Sequence, residues 1–313
     1  MSANAAVATR IAQTRDRERG HRTRLAAGYI LAIVAILTLS IYGFDYYTLS
    51  VADRPFSPKH VLLKPSGVIG IKLGLVGFAM FLLIFLYPLR KRWAWLGRQG
   101  SSKHWLDFHV LLGLAAPFVI ALHSSFKFSG FAGIAFWIMA AVSASGIVGR
   151  YLYAQIPRSL NAAVLSCKET QELQERLSRQ LADQDLLPAD NLREVLRLPR
   201  PETVQRMPIV LAIAYMMLLD VLRVFHMAKL RRKALAGSEY ISTLGGMLRT
   251  RHVRLERAID AAGEEAKLAK KILFLSRSEK VFHLWHVVHR PFSYTFAVLA
   301  LIHIGVVMMM GYL

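Results

Sequence analysis

Cysteine is almost absent from this chain. Its 313 residues include one, Cys167. That excludes an intrachain disulfide, a Cys-x-x-Cys-His haem attachment and a four-cysteine iron–sulfur site. Acidic residues are also scarce: 20 Asp and Glu stand against 40 Lys and Arg, a formal net charge of +20. No Gly-x-Gly-x-x-Gly loop occurs between a strand and a helix, which removes the dinucleotide-binding folds. No alternating strand pattern and no low-complexity tract is found. No aromatic-plus-basic pattern offers a base-stacking platform. The basic excess is therefore read as cytoplasmic segments facing anionic headgroups, not as a nucleic-acid surface.

What the chain has in quantity is apolar sequence. Hydrophobic residues make up 54% of it, in long runs between basic patches. This predicts an all-α, polytopic membrane helical bundle. Five runs are long enough to cross: about Leu25 to Phe44, Gly67 to Leu89, Trp105 to about Ser125, Phe131 to about Leu152, and His286 to Tyr312. Lys72, near one end of the second, can snorkel. The leader carries Arg10, Arg15, Arg17, Arg19, Arg22 and Arg24. The run after it lacks a small-residue cleavage site, so it reads as a retained span and not a cleaved signal.

Basic residues set the expected orientation. The N-terminal arginines, the group Arg90, Lys91, Arg92, Arg98 and Lys103, and the stretch after Arg150 are assigned to the cytoplasm. The loops at 45–66 and 124–130 are poor in basic residues and face outside. The expectation is a bacterial cytoplasmic (inner) membrane protein with its N-terminus in the cytoplasm and its C-terminus outside. One apolar run, Pro208 to Leu219, is only 12 residues long and is followed at once by Asp220 and Arg223. It is read as a cytoplasmic helix lying on or near the membrane. Within the long insertion, Lys168 to Gln184 has helical periodicity, Pro188, Pro199 and Pro201 interrupt the chain, and Ser238 to Lys280 reads as a polar helix broken at Gly245–Gly246.

The residues that carry chemistry are histidines. His109 and His123 are 14 residues apart, and so are His289 and His303. On an α-helix that is just under four turns, so the members of each pair share nearly one face about 21 Å apart along the axis. Two such helices side by side present facing imidazoles at two depths. Iron suits imidazole, and two axial histidines leave no open position. The chemistry implied is electron transfer through two non-covalently held haems. With spans three and five running the same way, His109 and His289 form the inner iron site and His123 and His303 the outer one. An extra crossing would instead face His109 with His303. A lone span histidine can equally serve only to hydrogen-bond a neighbouring helix; matched pairs at one spacing are harder to explain that way.

Other positions support this less directly. Arg150, Lys127 and Arg290 lie near span ends and are candidate partners for haem propionates, or members of an ordinary charge belt. Gly113, Gly133, Gly146 and Gly149 would let a flat macrocycle, or simply another helix, approach. Trp105 and Trp285 read as interfacial anchors. His283, His286 and His289 recur every three residues, as in a histidine-box metalloenzyme, which would need further ligands such as His104 or His226. His21, His60 and His252 lie in polar segments and are read as solvated.

The stretches WLDFHVLLGLAAPFVIALHSSFKF, GRYLYAQIPR and LWHVVHRPFSYTFAVLALIHIGVV together resemble prokaryotic di-haem membrane b-type cytochromes, the ferric-reductase-like and quinol-linked cytochromes b. The resemblance spans the third to fifth runs, under half the chain. It implies two b haems with His109, His123, His289 and His303 as axial ligands, in an electron-transfer subunit more than a stand-alone enzyme. The flavin and nicotinamide module of flavin-type ferric reductases has no counterpart before Leu313, so electrons are expected from quinol or a separate redox protein. Residues 1–24 are then a basic tail, 25–104 two accessory spans, 105–154 the first part of the haem-binding bundle, 155–282 a cytoplasmic helical insertion and 283–313 the last haem-binding span. Expected partners are membrane lipids, a quinone pool and a redox protein or larger membrane complex, and no nucleic acid. The alternatives are the histidine-box metalloenzyme and a non-redox membrane scaffold subunit.

Overall fold

A computed structural model describes residues 2–156, 172, 198–234, 246–250 and 253–311. The helix expected over 168–184 and residues 238–245 of the polar helix lie outside the described residues, as does His252. All regular structure among the described residues is helical. In chain order the helices are α1 (Ser2–Tyr42), α2 (Phe44–Thr48), α3 (His60–Leu63), α4 (Val68–Arg90), α5 (Ala94–Gly97), α6 (Ser102–His123), α7 (Gly130–Gln155), α8 (Pro201–Arg206), α9 (Ile209–Ala234), α10 (Val253–Leu273) and α11 (Leu275–Met309). The chain divides into two compact units. One comprises residues 1–150 with 286–313, the other residues 151–285.

The first unit is a bundle of α1, α4, α6, α7 and the membrane-long part of α11. Contacts give each helix its direction. Gly70 and Ile84 of α4 meet His123 and His109 of α6 respectively, so α4 is antiparallel to α6. Arg150 and Ser143 of α7 meet Asp107 and Gly113, so α7 is antiparallel as well. His21 of α1 meets Asp107, and Gly28 lies against Leu111, so α1 runs parallel to α6. Five helices share one core: Leu73, Met80, Ala116, Val119, Leu122 and Met139, surrounded by residues that include Leu39, Phe136 and Phe296. The outward faces are apolar too, with Leu31, Val34, Leu37 and Ile41 of α1 exposed. A helix apolar on both its packed and its exposed face is one that lies in lipid.

Two buried arginines tie down the ends of this bundle. Arg90, at the end of α4, donates to Ser102 Oγ at 2.7 Å and to the carbonyls of Gly97 and Gly100, both at 2.9 Å. That fixes the turn leading into α6, whose N-cap Ser101 accepts from the His104 N–H. At the other end, α6 stops at His123. Ser125 and Phe126 then adopt left-handed backbone, φ 51° and 59°, which side-chain-bearing residues rarely occupy without support. The support is Arg54, which donates to the Ser125 carbonyl at 2.5 Å and to the Tyr47 carbonyl at 2.9 Å, while Ser125 Oγ donates to the Leu63 carbonyl at 2.6 Å.

Prolines inside the bundle helices free carbonyls for other use. Proline lacks an N–H, so the carbonyl four residues earlier loses its helical partner. Pro117 leaves that of Gly113 open, and Ser143 Oγ of α7 donates to it at 2.8 Å. Pro88 does the same for Ile84, with a consequence described below.

By length and composition, six of the described helices can cross a membrane, against the five expected. The sixth is Ile209–Arg232 on α9. The sequence reading ended this helix at its first charges, but Asp220 and Arg223 do not end it. Asp220 pairs with Lys270 of α10 at 2.5 Å and Arg223 donates to Asp220 at 3.3 Å, so the helix continues to Ala234 with these two charges turned into a packed interface. The polar helix expected to reach Lys280 breaks at Phe274, between α10 and α11.

In this second unit α10 packs antiparallel on α9. Arg231 clamps Glu256 through both carboxylate oxygens, at 2.8 and 3.0 Å, and both side chains are buried. Burial raises the Glu256 pKa, but the Arg231 hydrogen bonds and the Thr250 backbone N–H carry it net below its ordinary 4.5. A carboxyl depressed in this way contributes stability that is present above the unfolded value and is lost as pH falls through the folded one. Glu256→Ala is expected to destabilise this unit by about 3–5 kcal/mol, because it leaves Arg231 buried and unpaired. Thermal unfolding of the full chain in detergent measures this. The native protein is expected to loosen in this unit as pH falls below 4.5, and Glu256→Gln to lack that response.

Candidate functional site

The four span histidines come together in pairs within the first unit. His289 of α11 interacts electrostatically with His109 of α6, and His303 with His123. Two imidazole levels result, each with one histidine from either helix. Because His109 and His123 follow the same order as His289 and His303, α6 and α11 run in the same direction. The alternative pairing of His109 with His303 is not what the fold builds.

The surroundings define which nitrogen each ring offers. His109 Nδ1 lies 3.0 Å from the carbonyl of Ile84, the one that Pro88 leaves open. His123 Nδ1 lies 2.8 Å from the carbonyl of Gly70. A carbonyl only accepts, so both Nδ1 atoms carry a proton, and in the neutral ring Nε2 is then the nitrogen with the lone pair. His289 Nδ1 is 2.8 Å from Ser145 Oγ, whose own hydrogen goes to the Val142 carbonyl at 2.8 Å. The Ser145 oxygen therefore accepts from His289 Nδ1–H. Holding Nδ1 in this manner fixes tautomer and ring orientation and raises the basicity of the ligating nitrogen. Two imidazoles at each level suit an iron porphyrin bound through both axial positions.

Close approach of α4 to α6 depends on Gly74. A Cβ there would stand 2.8 Å from His123 Cε1 and 3.0 Å from its Nδ1. Of the glycines singled out in the sequence, Gly113 and Gly146 border open space, with no atom within 4 Å of a built Cβ. Gly133 instead packs on the Phe128 backbone, and a Cβ built there would stand 2.3 Å from the Phe128 carbonyl oxygen.

A charged cluster closes the His109 end of the bundle. Asp107, buried two residues before His109, holds Arg150 at 2.6 Å and His21 at 3.0 Å. His21 stacks on His104 with ring centroids 3.6 Å apart, and Glu18 pairs with Lys103. His21 is thus part of a packed network, not solvated as its polar segment suggested. Arg150, a candidate propionate partner, has Asp107 as its partner within the chain. Lys127 is exposed in the turn after α6, and Arg290 is exposed on α11. Burial pushes the Lys91 ammonium below its ordinary pKa, and the nearby Arg290 charge pushes it further. His60 takes Tyr46 as partner, with 3.2 Å between the Tyr46 hydroxyl and His60 Nδ1. Trp105 is anchored through Nε1–H to the Gln99 carbonyl at 2.7 Å.

The sequence reading did not single out Asp107, Ser145, Gly74 or the Ile84 carbonyl. Two had a visible signal: an acid inside an apolar span, and a proline four residues after a carbonyl. Among the described residues, no three His, Cys, Asp or Glu side chains converge as a histidine-box metal would require. No protein-family model, no curated protein and no solved structure matches the chain.

Proposed function

We propose that this protein is a di-haem b-type membrane cytochrome that moves electrons across the bacterial cytoplasmic membrane. The observation that carries this reading is the pairing of four span histidines at two depths, three of them with Nδ1 held by a hydrogen bond. When bound, the haems would supply reversible one-electron chemistry at iron without an open coordination position. His109 and His289 would hold the haem nearer the cytoplasm, and His123 and His303 the one nearer the outside, with the N-terminus inside by the distribution of basic residues. The roughly 21 Å between levels explains why two centres are needed: one site alone would lie far from one surface of an apolar core about 30 Å thick. Ile84, Gly70 and Ser145 orient the ligands, and the surrounding apolar core excludes water. Quinone or quinol is the proposed small-molecule partner, and a separate redox protein the other.

The test is a reduced-minus-oxidised visible spectrum with haem quantified, on full-length protein purified from haem-replete cells. A b-type spectrum with about two haems per chain is expected. Protein that is folded, helical and free of haem overturns the proposal.

A further inference from the structure

A second feature of the molecule concerns α9 and does not depend on haem. Its exposed large apolar residues form one broad face: Val210, Leu211, Leu218, Val221, Leu222, Val224 and Phe225, each between 38% and 80% exposed, with Leu211, Leu218, Val221, Leu222 and Phe225 as its central stripe. Lys229 and Arg232 extend the same side and are also exposed. The opposite side is buried: Ala212, Met216, Arg223, Leu230 and Arg231. Polarity is thus reversed relative to a water-facing helix. Arg223 and Arg231 are turned inside, where they pair with Asp220 and with Glu256 of α10, while most of the large apolar side chains are outside.

Two observations say how such a helix meets a membrane. The first is direction. The chain leaves the bundle on α7, antiparallel to α6, and re-enters on α11, parallel to α6. It therefore re-enters from the side to which α7 delivered it, and the intervening segment crosses an even number of times. A single crossing by α9 is incompatible with the histidine pairing. The second is the company α9 keeps. Between the contacts Arg231–Glu256 and Asp220–Lys270, α10 runs alongside it. On that helix Arg257, Glu264 and Lys267 are exposed. A crossing α9 would carry those charges into hydrocarbon, where an ionised side chain is costly and is rarely left facing lipid.

We propose that α9 and α10 form a membrane-surface layer, with the Leu211–Phe225 stripe seated in the headgroup–acyl boundary of the leaflet and the α9 axis in the membrane plane. The two helices divide the work. α9 supplies an apolar underside about 21 Å long, the paired charges form a dry middle, and α10 presents a charged upper side to water. The occupant of the stripe is the lipid surface, continuous with the lipid around the bundle to which both ends of this unit are joined. Lys229 and Arg232 at one end suit anionic headgroups.

The experiment uses the full chain in vesicles of three parts phosphatidylcholine to one part phosphatidylglycerol. Cys167→Ser removes the native thiol, and nitroxide labels are placed singly through Leu211→Cys, Leu218→Cys and Phe225→Cys, with Lys267→Cys as the reference. The three stripe labels are expected to be accessible to oxygen at one shared shallow depth of about 5–10 Å, while the Lys267→Cys label is accessible to a water-soluble nickel chelate. A depth that grows steadily from 211 to 225 would mean a crossing helix. Labels shielded from both reagents would mean a protein partner or a second copy, and labels open to the nickel chelate would mean no membrane contact. Each of these three results overturns the proposal. Val221→Cys replaces any stripe variant that loses its helical circular dichroism. The readout does not involve haem, so it stands or fails separately from the electron-transfer reading.

Discussion

His109→Ala and His289→Ala are expected to leave one and the same b-type centre, with about half of the reduced haem absorbance lost in each. His123→Ala and His303→Ala should both leave the other. The equality within pairs is the discriminating result. It follows from α6 and α11 running in the same direction, which brings His289 to His109 and His303 to His123. Redox titration of the difference spectra would show two residual midpoint potentials among four variants, shared in those two pairs. If His109→Ala instead matched His303→Ala, the helices would be antiparallel. The fold, the site and the surface placement of α9 would then all need revision.

Gly74→Val is the second substitution with a large expected effect. It should abolish the centre at His123 and His303 and spare the one at His109 and His289. The new Cβ would lie 2.8 Å from His123 Cε1, too close for any pair of carbon atoms. The ring cannot swing aside cheaply, because its Nδ1 is tied to the Gly70 carbonyl one turn earlier on the same helix. Gly77→Ala is the contrast. Its Cβ would meet the end of the Ile120 side chain at 2.3 Å, which can rotate away, so both centres should survive. Haem content per chain for the two variants, with helical circular dichroism as the control for folding, decides the matter. Loss of both centres in Gly74→Val would show that the glycine serves the helix packing as a whole, not one histidine.

Much of this architecture is legible in the sequence because it depends on local periodicity and composition. The spans follow from apolar runs of bilayer length, and the shared face of His109 and His123 follows from helical geometry alone. Reading failed where a residue's role depends on what lies across from it. Asp220 and Arg223 look like the end of an apolar helix until Lys270 is seen beside them. His21 looks solvated until Asp107 and His104 enclose it. Pro88 and Pro117 announce open carbonyls, but not that His109 would take one and Ser143 the other.

The sequence by itself determined that the protein is helical and membrane-embedded, that four histidines lie in its spans, and that each pair is separated by just under four turns. These are properties of single helices, set by residues within one turn or one span of each other. The tertiary structure decided which histidine faces which, that Nδ1 of His109, His123 and His289 is engaged, and on which side of α9 Arg223 and Arg231 lie. Those depend on the direction and rotation of helices as far apart in the chain as α6 and α11. Local propensity leaves that choice open, and packing, together with the need to satisfy every polar group in an apolar core, makes it.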